Sequence, residues 1–215
     1  MPLETKRLLK SIEEAKKGDK RGFNQTLEIV VILKDLDLKK PANRINEAVE
    51  LPNPLGKPTT VCVIAGGDLA VKAKKGGADY VLEQGELDKI SKDKKALKKI
   101  VNEYEYFIAA APLMAAVGKT MGTILGPRGK MPTPVPPNAP IESLIEKHRR
   151  MVRVRLKDQL AIQTKVGTEE MPHEKVAENV QAVIARLEAK LEKGAKNIDA
   201  LYIKTTMGKP VKVEI

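Results

Sequence analysis

The chain has 215 residues, with 39 lysines and arginines against 28 aspartates and glutamates. The resulting net charge of +11 favours a polyanionic partner, namely RNA, DNA or an anionic membrane surface. Aromatic residues make up 3% of the chain, which argues against stacking of many unpaired bases, and the single cysteine excludes an internal disulfide framework and favours a reducing cytosol. No apolar run approaches the ~20 residues of a membrane-spanning helix, so no membrane span is expected.

The first part of the sequence predicts one helix and one strand. Apolar residues recur at helical spacing over 3–17, and Gly18 follows as a stop. Residues 26–33 alternate as a strand with one strongly apolar face does. The prolines of segment 39–58 predict a long loop with one short strand around Val49.

The middle of the chain alternates strand and helix patterns. A continuous β-branched run over 59–65 is typical of a buried parallel strand. Further strands are predicted at 80–84 and 106–112, with helices between the strands and a last helix over 113–121. This alternation predicts a small α/β unit with a parallel sheet.

A segment rich in glycine and proline, 121–137, ends that unit. Glycine permits positive φ and proline removes a hydrogen-bond donor, so the segment is predicted to be a stiff loop with a polyproline-like exit and not a helix. Its only charges are Arg128 and Lys130, and no acidic residue lies between Glu105 and Glu142. Such a loop is suited to a phosphate backbone, and a plain connector between domains is the equal alternative.

The last third predicts strands around one long helix. Segments 151–156 and 160–167 predict an antiparallel hairpin. The apolar stripe over 173–194 predicts the clearest helix of the chain, and two short strands flank the turn at 207–210.

The two ends of the chain need each other to bury their apolar faces. They therefore predict one discontinuous α+β domain, built from residues 1–59 plus 151–215. The α/β domain, residues 60–150, is inserted into it, and two connections rich in proline link the domains as a double hinge.

No motif assembles an enzyme site. The AGGD sequence at 65–68 lacks the spacing of a dinucleotide fingerprint, and residues 118–120 lack the first glycine of a phosphate loop. His148, His173 and Cys62 have no metal-ligand spacing. We expect no catalytic residue, no cofactor and no metal, which leaves an α/β enzyme as the weakest hypothesis.

Two surface signals stay open on the residues alone. Five lysines between 92 and 99 cluster on one predicted helix, either as a solvated face or as a phosphate-contacting surface. The turn Thr205-Thr206-Met207-Gly208 is either an ordinary β-turn or a place where small polar groups and main chain approach an RNA backbone and its 2′-hydroxyls.

Four stretches are distinctive in combination: MGTILGPRGKMP, FNQTLE, KVGTEEM and the terminal YIKTTMGKPVKV. Together they resemble the ribosomal protein L-one family in its archaeal form, the protein of the mobile stalk of the large subunit, and the resemblance covers essentially the whole chain. It implies a discontinuous α+β domain made by both chain ends, with an inserted α/β, Rossmann-like three-layer domain.

The resemblance also implies an RNA-binding surface on the first domain, which grips structured rRNA with its first strand and its terminal turn. The residues at the matching positions are Phe23, Thr26, Glu28, Thr205, Thr206, Met207 and Gly208, with Lys165 and Gly167 adjacent to them. The family has TTMGP where this chain has TTMGK, so Lys209 adds a charge. In the inserted domain, Arg128 and Lys130 are candidates to face tRNA.

The function implied by the resemblance is binding and not catalysis. The protein would be a cytoplasmic, structural component of the large ribosomal subunit, where it anchors as a monomer on the rRNA of the stalk. It would help to release tRNA from the exit site and repress translation of its own mRNA by binding the leader. A free-standing RNA-binding translational regulator outside the ribosome is the alternative.

Overall fold

The computed structural model describes residues 4–18, 21–38, 40, 43, 45–56, 59–91, 93–156 and 159–214, with the backbone alone at 91 and 94. The helices are Thr5–Lys16 (α1), Asp68–Lys75 (α2), Gln84–Ser91 (α3), Lys94–Glu103 (α4), Met114–Arg128 (α5), Ile141–Arg149 (α6) and His173–Lys190 (α7). The strands are Thr26–Leu33 (β1), Asn46–Glu50 (β2), Val61–Ile64 (β3), Tyr80–Leu82 (β4), Tyr106–Ala110 (β5), Thr133–Val135 (β6), Met151–Arg155 (β7), Ala161–Thr168 (β8), Ile198–Thr205 (β9) and Val211–Val213 (β10).

The chain divides into two compact units. Residues 1–57 and 150–215 form the first unit, and residues 58–149 form the second. The first holds an antiparallel sheet of order β10-β9-β1-β8, and the second a parallel sheet of order β4-β3-β5-β6. This confirms the predicted mixed fold, in which strands from both chain ends share one sheet and the middle segment builds another.

The sheet of the first unit is covered on one face. Alternate residues of β1 are buried, as are those of β9 over most of its length, because these side chains point towards α1 and α7. The buried side chains of β1 are Leu27, Ile29, Val31 and Leu33. Burying a side chain of this size stabilises the fold by roughly 1.5–3 kcal/mol, so the alternation fixes the strand register.

The predicted hairpin of 151–156 with 160–167 is wrong. The strand β7 pairs with β2 in a separate two-stranded sheet, whereas β8 pairs with β1. Both strands carry the alternation that a hairpin needs, but each pairs with a strand from the first 50 residues of the chain. The predicted strands around 207–210 do pair, as β9 with β10.

The central strands of the second unit are buried along their whole length. All four residues of β3 and all five of β5 are buried, as expected for parallel strands with helices on both faces. Cys62 and Ile64 pack in one apolar cluster with residues of α3, α4 and α5. Val61 and Val63 point to the other face, where α2 and α6 contact β3.

The prediction of a loop over 121–137 is wrong for its first half, since α5 continues to Arg128 with Pro127 in its last turn. The buried side chains Met121 and Leu125 hold this part of the helix in the core. A proline there removes one helical hydrogen bond, and the apolar contacts outweigh that loss. The helix ends at Gly129, whose φ of 68° is left-handed, and whose amide donates to Gly126 at 2.9 Å. The second half of the segment contains the short edge strand β6, which pairs with β5.

Candidate nucleic-acid interface

The turn after β9 is fixed onto the first residue of β1. The amide of Thr206 donates to the carbonyl of Thr26 at 3.0 Å, and the amide of Thr26 donates to the hydroxyl of Thr206 at 3.2 Å. The amide of Gly208 closes the turn by donating to the carbonyl of Thr205 at 3.1 Å. The side chain of Met207 is 62% exposed at its tip, so a rigid turn presents one flexible apolar side chain.

Glycine is required at position 208 by a close approach. A Cβ atom added there would lie 2.2 Å from the Oγ1 atom of Thr205. Thr205 is 2% exposed, and its hydroxyl has no hydrogen-bond partner among the described residues. The main chain of the turn therefore packs directly against the buried side chain of Thr205, which has little room to move.

Gln25 links this turn to the turn that follows β8. Its side-chain oxygen accepts the amide of Met207 at 3.1 Å, and its Nε2 donates to the carboxylate of Glu169 at 3.2 Å. Its own carbonyl accepts the amide of Glu169 at 3.0 Å. Gln25 is 3% exposed and was not among the predicted site residues, because it precedes the strand and no periodicity marks it.

The turn after β8 is held by α1 as well. The ammonium of Lys16 donates to the carbonyl of Met171. Burial lowers the pKa of Lys16, and the carboxylates of Glu169 and Glu174 oppose that shift. Gly167 lies beneath this turn, where an added Cβ would meet the Sδ atom of Met171 at 3.0 Å. Gly167 thus allows close packing and offers no surface to a ligand.

The structure brings most of the predicted site residues to one end of the sheet. Phe23 precedes β1 and is 52% exposed. In the register of the sheet, Leu27 lies opposite both Thr205 and Gly167, so the terminal turn and the end of β8 flank the start of β1. Glu28 lies one step further in, opposite Lys165, and its carboxylate accepts a hydrogen bond from Gln163.

A groove beside the terminal turn places Lys209, noted in the sequence, next to two basic residues that sequence reasoning did not find, Lys17 and Arg21. It has a volume of about 480 Å³ and lies between the end of α1 and the turn. Its lining includes Lys17, Arg21 and Lys209 together with Glu14. Lys17 is engaged by Glu13 at 2.8 Å, so part of this positive charge is already balanced.

The two cations of the predicted loop lie in the second unit and contact α4. The ammonium of Lys130 donates to the carbonyls of Val101 and Tyr104, both at 2.7 Å, where the helix ends. A cation at this position also complements the negative end of the helix dipole. Arg128 donates to the side chain of Asn102. A role of Arg128 and Lys130 towards tRNA stays a prediction.

The lysine cluster lies on the exposed face of α4. Lys95, Lys98 and Lys99 are exposed at helical spacing. Lys92 and the side chain of Lys94 lie outside the described residues. The geometry is compatible with both alternatives given above, a solvated face and a phosphate-contacting surface.

Two further titratable candidates, His148 and Cys62, are engaged in the fold of the second unit. His148 is buried, with Nδ1 hydrogen-bonded to the carbonyl of Leu144 at 2.7 Å. Burial raises the pKa of Cys62 to about 12, so this thiol is protonated at neutral pH. Within the described ranges, no group of three or more potential metal ligands occurs, and no helix is long and apolar enough to cross a membrane.

A basic chain with an exposed, glycine-dependent turn at the end of an antiparallel sheet has the features of a nucleic-acid-binding protein. Comparison with known proteins gives the family: the chain belongs to the ribosomal protein L1p/L10e family, whose model matches residues 11–209. This membership confirms the resemblance seen in the sequence. It also confirms the expectation of a non-enzymatic protein, since the family consists of ribosomal proteins.

Archaeal relatives match over nearly the full chain. The chain is 50% identical over 210 residues to large ribosomal subunit protein uL1 of Thermofilum pendens, covering 94% of this chain and 92% of that protein. It is 45% identical over 207 residues to the protein of the same name from Methanocella arvoryzae, covering 94% and 97%. The identity to that of Archaeoglobus fulgidus is 44% over 214 residues, covering 99% and 100%.

Proposed function

We propose that this protein is a structural component of the large ribosomal subunit that binds large-subunit rRNA directly. The proposal is supported by family membership, by the net charge of +11, and by relatives named as large ribosomal subunit proteins. The observation that carries it is the convergence of Phe23, Thr26 and the turn 205–208 at one end of the sheet.

This surface is suited to reading the shape of a folded RNA. The hydroxyl of Thr206 is hydrogen-bonded to the main chain of Thr26: it accepts from the amide and donates to the carbonyl at 3.3 Å. Thr206 therefore positions the turn. The exposed apolar groups are the side chains of Met207 and Phe23, and Lys209 adds an exposed charge beside them. Such a rigid surface with two exposed apolar side chains fits a ribose and base edge better than a row of phosphates, and it makes recognition depend on RNA shape.

In the ribosome, we propose that the discontinuous domain, residues 1–59 plus 151–215, anchors the protein as a monomer on the rRNA of the mobile stalk. The inserted domain, residues 60–150, moves with the stalk and helps to release tRNA from the exit site. Arg128 and Lys130 belong to this domain, but Lys130 already caps α4. Arg128, whose side chain is exposed, is therefore the stronger of the two candidates for contact with tRNA.

The same surface would repress translation of the protein's own mRNA if the leader imitates the rRNA site. A free-standing regulator that acts on mRNA alone is the second candidate, favoured by the same RNA-binding geometry. The two functions are separated by sedimentation: a ribosomal component travels with large subunits, whereas a free regulator stays in the soluble fraction. Competition between leader and rRNA for the purified protein tests the repression.

The direct test is binding to an isolated stalk-type rRNA fragment across a salt series, with an unrelated stem-loop of equal length as the competitor. We expect strong preference for the stalk fragment and a salt dependence much shallower than the net charge of +11 would give in non-specific binding, because only the few cations at the site release counterions. A steep salt slope with no preference between the two RNAs would refute the proposal.

Two exposed side chains make a matched pair of variants. Met207→Ala removes contact area from the proposed site, and Lys95→Ala removes one exposed charge from α4 in the other unit. We expect Met207→Ala to weaken binding of the stalk fragment by about tenfold, in the range of a well-placed interface side chain. Thr206→Ala should act in the same direction, and Lys95→Ala should change affinity by less than about twofold. Equal losses in all three would mean diffuse electrostatic attraction in place of a site.

A further inference from the structure

The antiparallel sheet of the first unit has a second, open face. Its helices α1 and α7 pack on the face that holds Leu201 and Ile203. Tyr202 and Lys204 alternate with those residues along β9 and therefore point to the opposite face. In register beside Tyr202 lie Val30 on β1 and Lys212 on β10.

Tyr202 and the two lysines nearest to it on this open face have side chains without a polar partner among the described residues. In the part of the chain that the structure describes, the side chains of Tyr202, Lys204 and Lys212 form no hydrogen bond and no ion pair. Lys212 is exposed, and Tyr202 and Lys204 are half-buried by their strand neighbours. An aromatic ring on a central strand, with a cation on its own strand and one on the next, is thus partly accessible to solvent on this face.

The open face continues the proposed rRNA site. Tyr202 lies on β9 four residues before Thr206, where the turn begins, a distance of about 13 Å at the rise of an antiparallel strand. A single nucleic-acid-binding module buries roughly 600–1,000 Å² of protein surface, a patch about 30 Å across. One RNA molecule seated on the terminal turn can therefore reach Tyr202 without any change in the protein.

We propose that Tyr202 stacks on one unpaired base of the bound RNA and that Lys204 and Lys212 hold the phosphates on either side of it. The proposal rests on the proposed function and extends its footprint from the end of the sheet across its open face. Charge complementarity favours RNA. Glu28 lies opposite Lys165 and Lys204 in the sheet, and Lys212 lies opposite Tyr202, so these two rows of the face carry three lysines and one acidic residue. A single stacked base also agrees with the scarcity of aromatic residues in the chain.

Substitutions of Tyr202 test the stacking. The full chain is titrated with the stalk-type rRNA fragment at fixed salt, and circular dichroism verifies that each variant is folded. Tyr202→Leu keeps an apolar side chain and removes the aromatic face, so it should weaken binding by about tenfold or more. Tyr202→Phe keeps the ring and should stay within about threefold of the unchanged protein.

Charge variants test the phosphate contacts. Lys204→Ala and Lys212→Ala should each lower the slope of log affinity against log salt by about 1. The matched control is Lys10→Ala, which removes an exposed charge from α1 on the covered side of the sheet and should leave the slope unchanged. Equal slope changes in all three variants would overturn the assignment of phosphates to this face.

Chemical protection gives a readout that does not depend on affinity. The chain has four tyrosines, and nitration by tetranitromethane can be assigned to each by mass spectrometry. We expect the stalk-type fragment to protect Tyr202 and to leave the other three unchanged. Equal nitration of Tyr202 with and without RNA would overturn the inference.

The outcomes separate this inference from the proposed function. If Met207→Ala weakens binding and Tyr202→Leu does not, the site at the end of the sheet stands and the extension is wrong. If Tyr202→Leu weakens binding and Met207→Ala does not, RNA lies on the open face, and the proposed site at the turn is wrong. If neither variant has an effect, both proposals are overturned.

Discussion

Gly208→Ala is the substitution with the most definite consequence. The added Cβ would lie 2.2 Å from the Oγ1 atom of Thr205, whereas ordinary contacts begin at 3.4 Å, so 1.2 Å of overlap must be relieved. Thr205 is buried, so relief requires either an unfavourable rotamer or movement of the turn. We expect the variant to lose about 1–3 kcal/mol of the free energy of unfolding, the usual cost of overpacking, and to bind the stalk-type rRNA more weakly.

A double-mutant cycle isolates the cause, with urea unfolding followed by circular dichroism. Thr205→Ala removes the obstructing oxygen and leaves the Cβ atom of residue 205 at 3.5 Å, an ordinary contact. Gly208→Ala should therefore cost less than about 0.5 kcal/mol in that background, which gives a coupling of about 0.5 kcal/mol or more. Gly22→Ala is the matched control, because no atom lies within 4 Å of its added Cβ. An equal cost of Gly208→Ala in both backgrounds would refute the steric argument.

Three further predictions concern buried or capping groups. Gln25→Ala leaves the amide of Met207 without its acceptor and should lower the free energy of unfolding by about 1–3 kcal/mol while weakening RNA binding; unchanged affinity would contradict its role in the turn. Lys130→Met removes the ammonium that caps α4 and should lower the free energy of unfolding in urea by about 1–2 kcal/mol. It should leave the affinity for rRNA unchanged, and weaker binding would show that Lys130 contacts the rRNA directly. Since burial raises the pKa of Cys62 to about 12, its thiol should resist a disulfide reagent at pH 8 in the folded protein and react in urea; rapid reaction without urea would contradict the burial.

The sequence predicted those features that depend on periodicity. The alternation of β1 and the stripe of α7 follow directly from which side chains can reach the core, so both elements were predicted at nearly their observed bounds. The hairpin at 151–167 failed because alternation identifies a strand without identifying its partner. Pairing between residues far apart in the chain leaves no local signal.

The candidate site was predicted through residues that the family resemblance marks, and its supports were missed for physical reasons. Gln25 acts through two turns that come from opposite ends of the chain, which only the folded structure brings together. Lys130 stands in a glycine-rich segment without acidic neighbours, so it was predicted to be available to a phosphate. Its engagement by α4 depends on α5 continuing to Arg128, contrary to the prediction for that segment.

The antiparallel sheet also sets the order in which the protein becomes functional during synthesis. Its central strand β1 is among the first segments made, but Thr26 meets Thr206 across 180 residues of chain. Contacts of such long range form slowly, and the ribosome must release the last strands before they can form at all. The middle segment holds a complete parallel sheet and can fold while the rest is still being made. A nascent chain therefore cannot assemble the proposed RNA-binding surface until β9 emerges, and on that proposal unfinished copies do not occupy an RNA site.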